Sequence, residues 1–287
     1  MEIELAIPSK GRLNQPTLRA LSRAGIMLVD KNERMLYART TDPDIGIIFV
    51  RATDIPKFVE EGAADVGITG YDFIVDSKAN VEELLDLGFG RAKIVLAAPE
   101  KSKIKNVTDI KTGSRVATKF VNLTQNYLKE KRKSCEIVKI SGAAEIMPYL
   151  GVADLIVDTT STGTTLKAHG LNIVDTILES SARLIANKPS LLKKKAKIRE
   201  LILAFESVMR AERKKLVMMN VPEKALKQVI NALPAMTGPT LAKVESVEPM
   251  WEVYTVIDEK EVYKIVSLVK KAGARDIIVM PIERIVP

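Results

Sequence analysis

The run Asp154-Leu-Ile-Val-Asp158-Thr-Thr-Ser-Thr-Gly-Thr-Thr-Leu166 sets a carboxylate beside a hydroxyl-rich loop, a combination suited to binding a sugar phosphate. Leu155, Ile156 and Val157 read as a buried strand, and residues 158–165 as a loop leading into a helix from Leu166. Gly163 lets the backbone approach an anion, and the loop and helix N-terminus offer unpaired N–H donors. The hydroxyls of Thr159, Thr160, Ser161, Thr162, Thr164 and Thr165 extend that cradle. Asp158, at the carboxyl end of the strand, is placed to accept hydrogen bonds from a ribose diol. A plain strand-to-helix turn with a Ser/Thr N-cap has the same outline. Six hydroxyl residues around one glycine, directly after an acid-terminated apolar strand, favour phosphate. Asp154 begins the strand, away from the loop, and reads as structural.

Other chemistry is narrowed by what the chain lacks. Cys135 is the only cysteine and His169 the only histidine, which excludes disulfide frameworks, Cys/His zinc sites and Ser-His-Asp catalysis. The remaining metal class is a hard cation held by carboxylates and substrate phosphates. His169 follows the loop closely but falls at the end of its helix, before Gly170, where a histidine interacts with last-turn carbonyls.

The balance of 44 basic and 36 acidic residues, +8 overall, suits a polyanionic ligand. The densest basic runs, 193–197 and 213–215, lie on helical patterns without interleaved aromatics, so they read as solvated helix faces and not as a nucleic-acid surface. No apolar run reaches the roughly 20 residues of a membrane span, and the N-terminus lacks signal-peptide features, so a cytoplasmic protein is expected.

A faint internal repeat supplies the elements that must position these groups. Ile7-Pro-Ser-Lys10 with its following helical pattern resembles Val116-Ala-Thr-Lys119 with its own, and Gly62-Ala-Ala-Asp65 resembles Gly151-Val-Ala-Asp154. Two α/β lobes follow, with parallel strands covered on both faces. Ligands sit outside the carboxyl ends of such strands, so both lysine turns and both post-Asp loops should face one cleft. Lys10 and Arg12 in the first turn and Lys119 in the second are the cations expected there. The chain should cross between lobes at 87–93 and at 171–177. From residue 214 the pattern changes to βαββαβ, a ferredoxin-like unit.

These markers, joined by Lys10-Gly-Arg-Leu13, Gly62-x-x-Asp-Val-Gly-Ile-x-Gly70, Met218-Met-Asn-x-Pro222 and Gly273-Ala274, resemble the long form of ATP phosphoribosyltransferase over essentially the whole chain. The resemblance implies two periplasmic-binding-protein-like lobes forming a cleft: residues 1–90 with 175–212, and residues 91–174 carrying the phosphoribosyl loop. A ferredoxin-like regulatory domain would occupy 213–287. It implies transfer of a phosphoribosyl group from phosphoribosyl pyrophosphate to N1 of ATP, with Mg2+ as cofactor. It adds Arg51 and Asp72 to Arg12 as nucleotide contacts, with Asp72 in a loop after Gly70, and Glu145 as a possible metal ligand. It further implies feedback inhibition by histidine at Asn220, Met236, Val256 and Asp276, in a homo-oligomer between dimer and hexamer. The competing reading is a two-lobed small-anion binding protein without catalysis.

Overall fold

The computed structural model describes residues 2–29, 36–234 and 238–286. It divides into compact units of residues 1–202 and 203–287.

The first lobe contains β1 (Ile3–Pro8), α1 (Asn14–Arg23), β2 (Tyr37–Arg39), β3 (Ile45–Val50), α2 (Ile55–Glu60), β4 (Val66–Gly70), α3 (Tyr71–Ser77) and β5 (Glu82–Asp86). The second contains β6 (Ala92–Pro99), β7 (Arg115–Thr118), α4 (Val121–Glu130), β8 (Glu136–Lys139), β9 (Leu155–Thr160), α5 (Thr164–Ala168) and β10 (Leu171–Ser180). The chain then returns to the first lobe with β11 (Ala182–Ala186), followed by α6 (Lys188–Lys193) and α7 (Lys195–Ala211). The sheet orders are β2-β3-β1-β4-β11-β5 and β10-β6-β9-β7-β8.

The internal repeat is structural. β1 runs parallel to β3 and β4, and β7 runs parallel to β8 and β9. Beyond them, β4 pairs antiparallel with β11 and β9 antiparallel with β6. The expected wholly parallel setting of β4 and β9 is therefore corrected, because a strand arriving from the other lobe closes each pattern. Both strands are still nearly all apolar, since each sheet is covered on both faces. In the second lobe Ile94, Leu96, Val116, Leu155 and Val157 pack with Phe120 in one core, while Val95, Ala97, Ala117 and Ile156 pack with Leu166 in another.

The first crossing lies between Asp86 and Ala92, within the expected stretch. The second does not lie at 171–177. Those residues belong to β10, which stays paired with β6 as far as Ser180↔Ala92, and the chain recrosses at Ser181. Residues 175–180 thus belong to the second sheet. β10 reads as a connection because it is an edge strand with two register shifts, interrupted by Asn172, Asp175, Thr176 and Glu179.

The second unit contains β12 (Lys214–Pro222), α8 (Leu226–Ala232), β13 (Thr240–Val244), β14 (Met250–Asp258), α9 (Val262–Lys271) and β15 (Arg275–Pro281), in sheet order β13-β14-β12-β15. This is the ferredoxin-like arrangement. Val217, Met219, Val221, Val253 and Ile257 bury against Val229, Ile265 and Val269 of the two helices, which leaves Leu216, Met218 and Asn220 on the opposite face. The division between units falls inside α7, not at residue 213. Ser207, late in that helix, accepts the Ile285 N–H at 2.9 Å and Arg284 Nε at 3.0 Å, which ties it to the chain's far end.

Candidate functional site

The strands β1, β3, β4, β7 and β9 end on the residues singled out by the sequence. β1 leads to Lys10 and Arg12, β3 to Arg51, β4 to α3 with Asp72, β7 to Lys119, and β9 to the hydroxyl loop. A cavity of about 180 Å³ is lined by Lys10, Arg12, Leu13, Ala52 and Phe73 from the first lobe and by Lys119 and Thr159 from the second. Three of the expected cations therefore do converge.

β9 extends to Thr160 and α5 begins at Thr164, so the loop is only Ser161-Thr162-Gly163. It is shorter than its composition suggests because Asp158, Thr159 and Thr160 are held in register by β6. Gly163 has φ +79°, a left-handed conformation that costs L-residues about 1–2 kcal/mol. Its N–H donates to Thr160 Oγ1 at 2.9 Å, and the Thr162 and Thr164 hydroxyls are 2.8 Å apart. Thr160 is buried, so its hydroxyl shapes the loop from beneath. Asp158 Oδ1 accepts from Lys119 Nζ at 3.0 Å and from the Thr159 N–H at 2.7 Å.

Asp72 differs from expectation. It lies in the first turn of α3 and not in a loop, and it has no solvent exposure. Its Oδ1 accepts from Arg12 Nη2 at 2.9 Å and from Ser180 Oγ at 2.6 Å. The pair needs a glycine at position 70, where a Cβ would stand 2.2 Å from Asp72 Oδ1. Arg51 is exposed beyond β3 and does not line the cavity.

Phe73 of α3 stacks on Phe120 of the second lobe, with centroids 5.8 Å apart. Arg12 lies over the first ring at 5.9 Å and Lys119 over the second at 5.1 Å. The contact continues where Asp76 Oδ1 accepts the Leu123 N–H at 2.9 Å and the Asp76 carbonyl accepts Asn122 Nδ2 at 2.7 Å. A carboxylate of the first lobe thus caps α4 of the second. Burial raises the Asp76 pKa above its ordinary value. Neither the aromatic stack nor Ser180 is marked by any sequence motif.

Glu145 lies in a short 3-10 turn, Ala144–Ile146. Among the described residues, no three His, Cys, Asp or Glu side chains cluster in a way that could hold a metal ion. His169 ends α5, its N–H bonded to the Thr165 and Leu166 carbonyls and its own carbonyl accepting the Tyr149 hydroxyl. Asp154 Oδ2 accepts the Arg115 N–H at 2.8 Å, a tie between strands.

In the second unit Asn220 Nδ2 donates to Asp276 Oδ2 at 3.1 Å, where a register shift and the positive φ of Asp276, +48°, bring the two side chains together. Val256 shares the open face but pairs with Leu216, four residues along β12 from Asn220. Met236 lies outside the described residues.

No helix among the described residues is long and apolar enough to cross a membrane. A family model described as ATP phosphoribosyltransferase matches residues 51–207, and one described as HisG, C-terminal domain, matches 211–284. The chain is 50% identical over 287 residues, 100% of each chain, to an ATP phosphoribosyltransferase of Methanothermobacter thermautotrophicus. It is also 50% identical over 285 residues to one of Ignicoccus hospitalis, covering 99% of this chain and 100% of the relative. A solved ATP phosphoribosyl transferase (HisG:HisZ) complex from Thermotoga maritima has a chain that superposes with a TM-score of 0.65 at 30% identity, covering 72% of this chain and 98% of that one.

Proposed function

The chain belongs to the ATP phosphoribosyltransferase family, the first enzyme of histidine biosynthesis, and from that premise we propose how its residues share the reaction. The enzyme joins the phosphoribosyl group of phosphoribosyl pyrophosphate to N1 of ATP and releases pyrophosphate. Such a displacement passes through an oxocarbenium-like state and depends on positioning and on neutralising the leaving group, so no nucleophilic side chain is required.

Ser161 to Thr165 receive the 5′-phosphate, and Asp158 takes the ribose diol together with Thr159. Lys10 and Lys119 stand against the leaving pyrophosphate. Arg12, with Arg51 at the cleft edge, meets the phosphates of ATP, and Asp72 holds Arg12 in place. The observation that carries this reading is the convergence of Lys10, Arg12, Lys119 and Thr159 on one cavity.

The family requires a divalent metal ion, which we assign as Mg2+. A cleft offering Asp158 among several cations suits a hard ion carried on substrate phosphate oxygens better than one caged by protein. Glu145 is the second carboxylate we retain as a candidate ligand. When bound, the ion supplies charge neutralisation on the pyrophosphate.

Histidine is the proposed feedback inhibitor, bound in the second unit at Asn220 and Asp276 in a homo-oligomer of dimer to hexamer size; Val256, opposite Leu216 on the same face, and Met236, outside the described residues, rest on the family resemblance alone. The Asn220–Asp276 contact and the exposed Ile278 and Met280 support this. Soluble substrates such as ATP and phosphoribosyl pyrophosphate support a cytoplasmic enzyme.

The test is to incubate the protein with ATP, phosphoribosyl pyrophosphate and Mg2+, with and without histidine, and to follow adduct and pyrophosphate by mass spectrometry. Adduct suppressed by histidine is expected. Adduct indifferent to histidine removes the regulatory assignment, and adduct formed equally well without a divalent ion removes the metal.

A further inference from the structure

Ser180 is the last residue of β10 and stands immediately before the chain recrosses to the first lobe. Its buried hydroxyl accepts the Asp72 N–H at 3.1 Å and donates to Asp72 Oδ1 at 2.6 Å. The neighbouring Ser181 carbonyl accepts the Tyr71 N–H at 3.0 Å. α3 has no side-chain cap from its own N-cap residue, Gly70. The crossing therefore satisfies two of the N–H groups that a helix start leaves open.

Asp72 relays this contact into the cleft. The same Oδ1 that receives Ser180 receives Arg12 Nη2 at 2.9 Å, and Arg12 lines the cavity. Asp72 Oδ2 and Arg12 Nε are buried without a hydrogen-bond partner among the described residues. The ion pair is thus held by few bonds, and in a buried network each one fixes geometry strongly.

We propose that Ser180 is a positioning residue for the transfer reaction: acting through Asp72, it sets where the Arg12 guanidinium stands at the cleft wall. It does so from the junction of the two lobes. The proposal rests on the assignment of Arg12 to the phosphates of ATP. Without the Ser180 hydroxyl, Asp72 is fixed by Arg12 alone, and the guanidinium no longer has a set position. The ATP side of the cleft is weakened, whereas the phosphoribosyl loop keeps its own hydrogen bonds.

The experiment measures kcat, the KM for each substrate and the thermal midpoint for the full chain and for Ser180→Ala, Ser180→Thr, Arg12→Gln and the Ser180→Ala/Arg12→Gln double variant. Ser180→Ala is expected to raise the KM for ATP about tenfold, the scale of one hydrogen bond to a charged group. The KM for phosphoribosyl pyrophosphate should stay unchanged, and Ser180→Thr, which keeps the hydroxyl, should restore the ATP value. In the Arg12→Gln background the same change should add about twofold or less, because both variants remove one linkage.

A folded Ser180→Ala enzyme with an unaltered KM for ATP overturns the proposal. An equal tenfold effect in both backgrounds overturns it too, since Ser180 would then act without Arg12. An Arg12→Gln enzyme with a normal KM for ATP removes the underlying assignment and the proposal with it, a result distinct from a silent Ser180→Ala beside an impaired Arg12→Gln. If Ser180→Ala does not fold, Ser180→Cys, a weaker hydrogen-bonding group of similar size, must raise the KM for ATP selectively for the proposal to stand.

Discussion

Lys119 Nζ lies 3.0 Å from Asp158 Oδ1, a pairing set by the parallel register of β7 and β9, in which Thr118 stands opposite Val157. One residue later Lys119 follows the end of β7 while β9 carries Asp158 two residues before its own end, which sets opposite charges side by side. Both side chains remain partly exposed, and in the proposed roles the ammonium orients the carboxylate for a ribose diol. Lys119→Met and Asp158→Asn should each lower kcat/KM by about 100-fold, the cost of losing one aligned charge contact in an active site. Steady-state kinetics on variants with unchanged melting would check this; turnover near that of the parent in either one removes the pair from the reaction.

The loop depends on its backbone geometry. Gly163→Val forces a β-branched residue to φ +79°, with ordinary packing space around the new Cβ, so the damage should be conformational and local. We expect transfer to be abolished with the fold retained. Thr160→Val, nearly isosteric, removes only the acceptor for the Gly163 N–H and should raise the KM for phosphoribosyl pyrophosphate about tenfold. Calorimetric titration with that substrate separates these losses of binding from losses of turnover.

The Phe73–Phe120 stack and the Asp76 cap on α4 join the two lobes. Asp76→Ala removes the cap and should destabilise the chain by about 1 kcal/mol. Because the contact joins the two halves of the cleft, the KM values for both substrates should rise together. A rise confined to one substrate would place Asp76 within a single subsite.

Asp42 accepts from Lys197 at 2.8 Å, and that hydrogen bond is the largest cause holding its carboxyl below the ordinary value. A depressed folded-state pKa gives stability that is complete above the unfolded pKa near 4 and lost as pH falls through the folded value. Asp42→Asn should therefore be less stable at pH 7, by about 1 kcal/mol after allowing for its partial exposure. Its stability should also fall less steeply below about pH 4. Parallel acid titrations of the two proteins, followed by circular dichroism, provide the check.

Much of this was legible in the residues. Apolar strands bounded by Gly-x-Ala-Asp, the paired lysine turns and the acid-led hydroxyl loop all carry short-range signals, and they placed Lys10, Arg12 and Lys119 in the turns after their strands, whereas Asp158, read as ending its strand, lies within β9, which continues to Thr160. The second crossing was not legible, because β10 is an edge strand whose polar residues imitate a connection. Asp72 was read as a loop residue facing ligand, since burial against Arg12 and Ser180 arises from segments 60 and 108 positions away. Ser180 and Phe120 carried no signal, because their importance lies entirely in what the other lobe brings to them.

In the proposed assignment the cleft between the lobes, with Asp158 and the 161–165 loop, holds phosphoribosyl pyrophosphate. A crystal structure of the protein with that substrate and Mg2+ tests it most directly. The 5′-phosphate is expected on the loop N–H groups, the ribose diol on Asp158 and the pyrophosphate facing Lys10 and Lys119. Substrate density that leaves Asp158 and the whole of the 161–165 loop without contact would contradict this assignment.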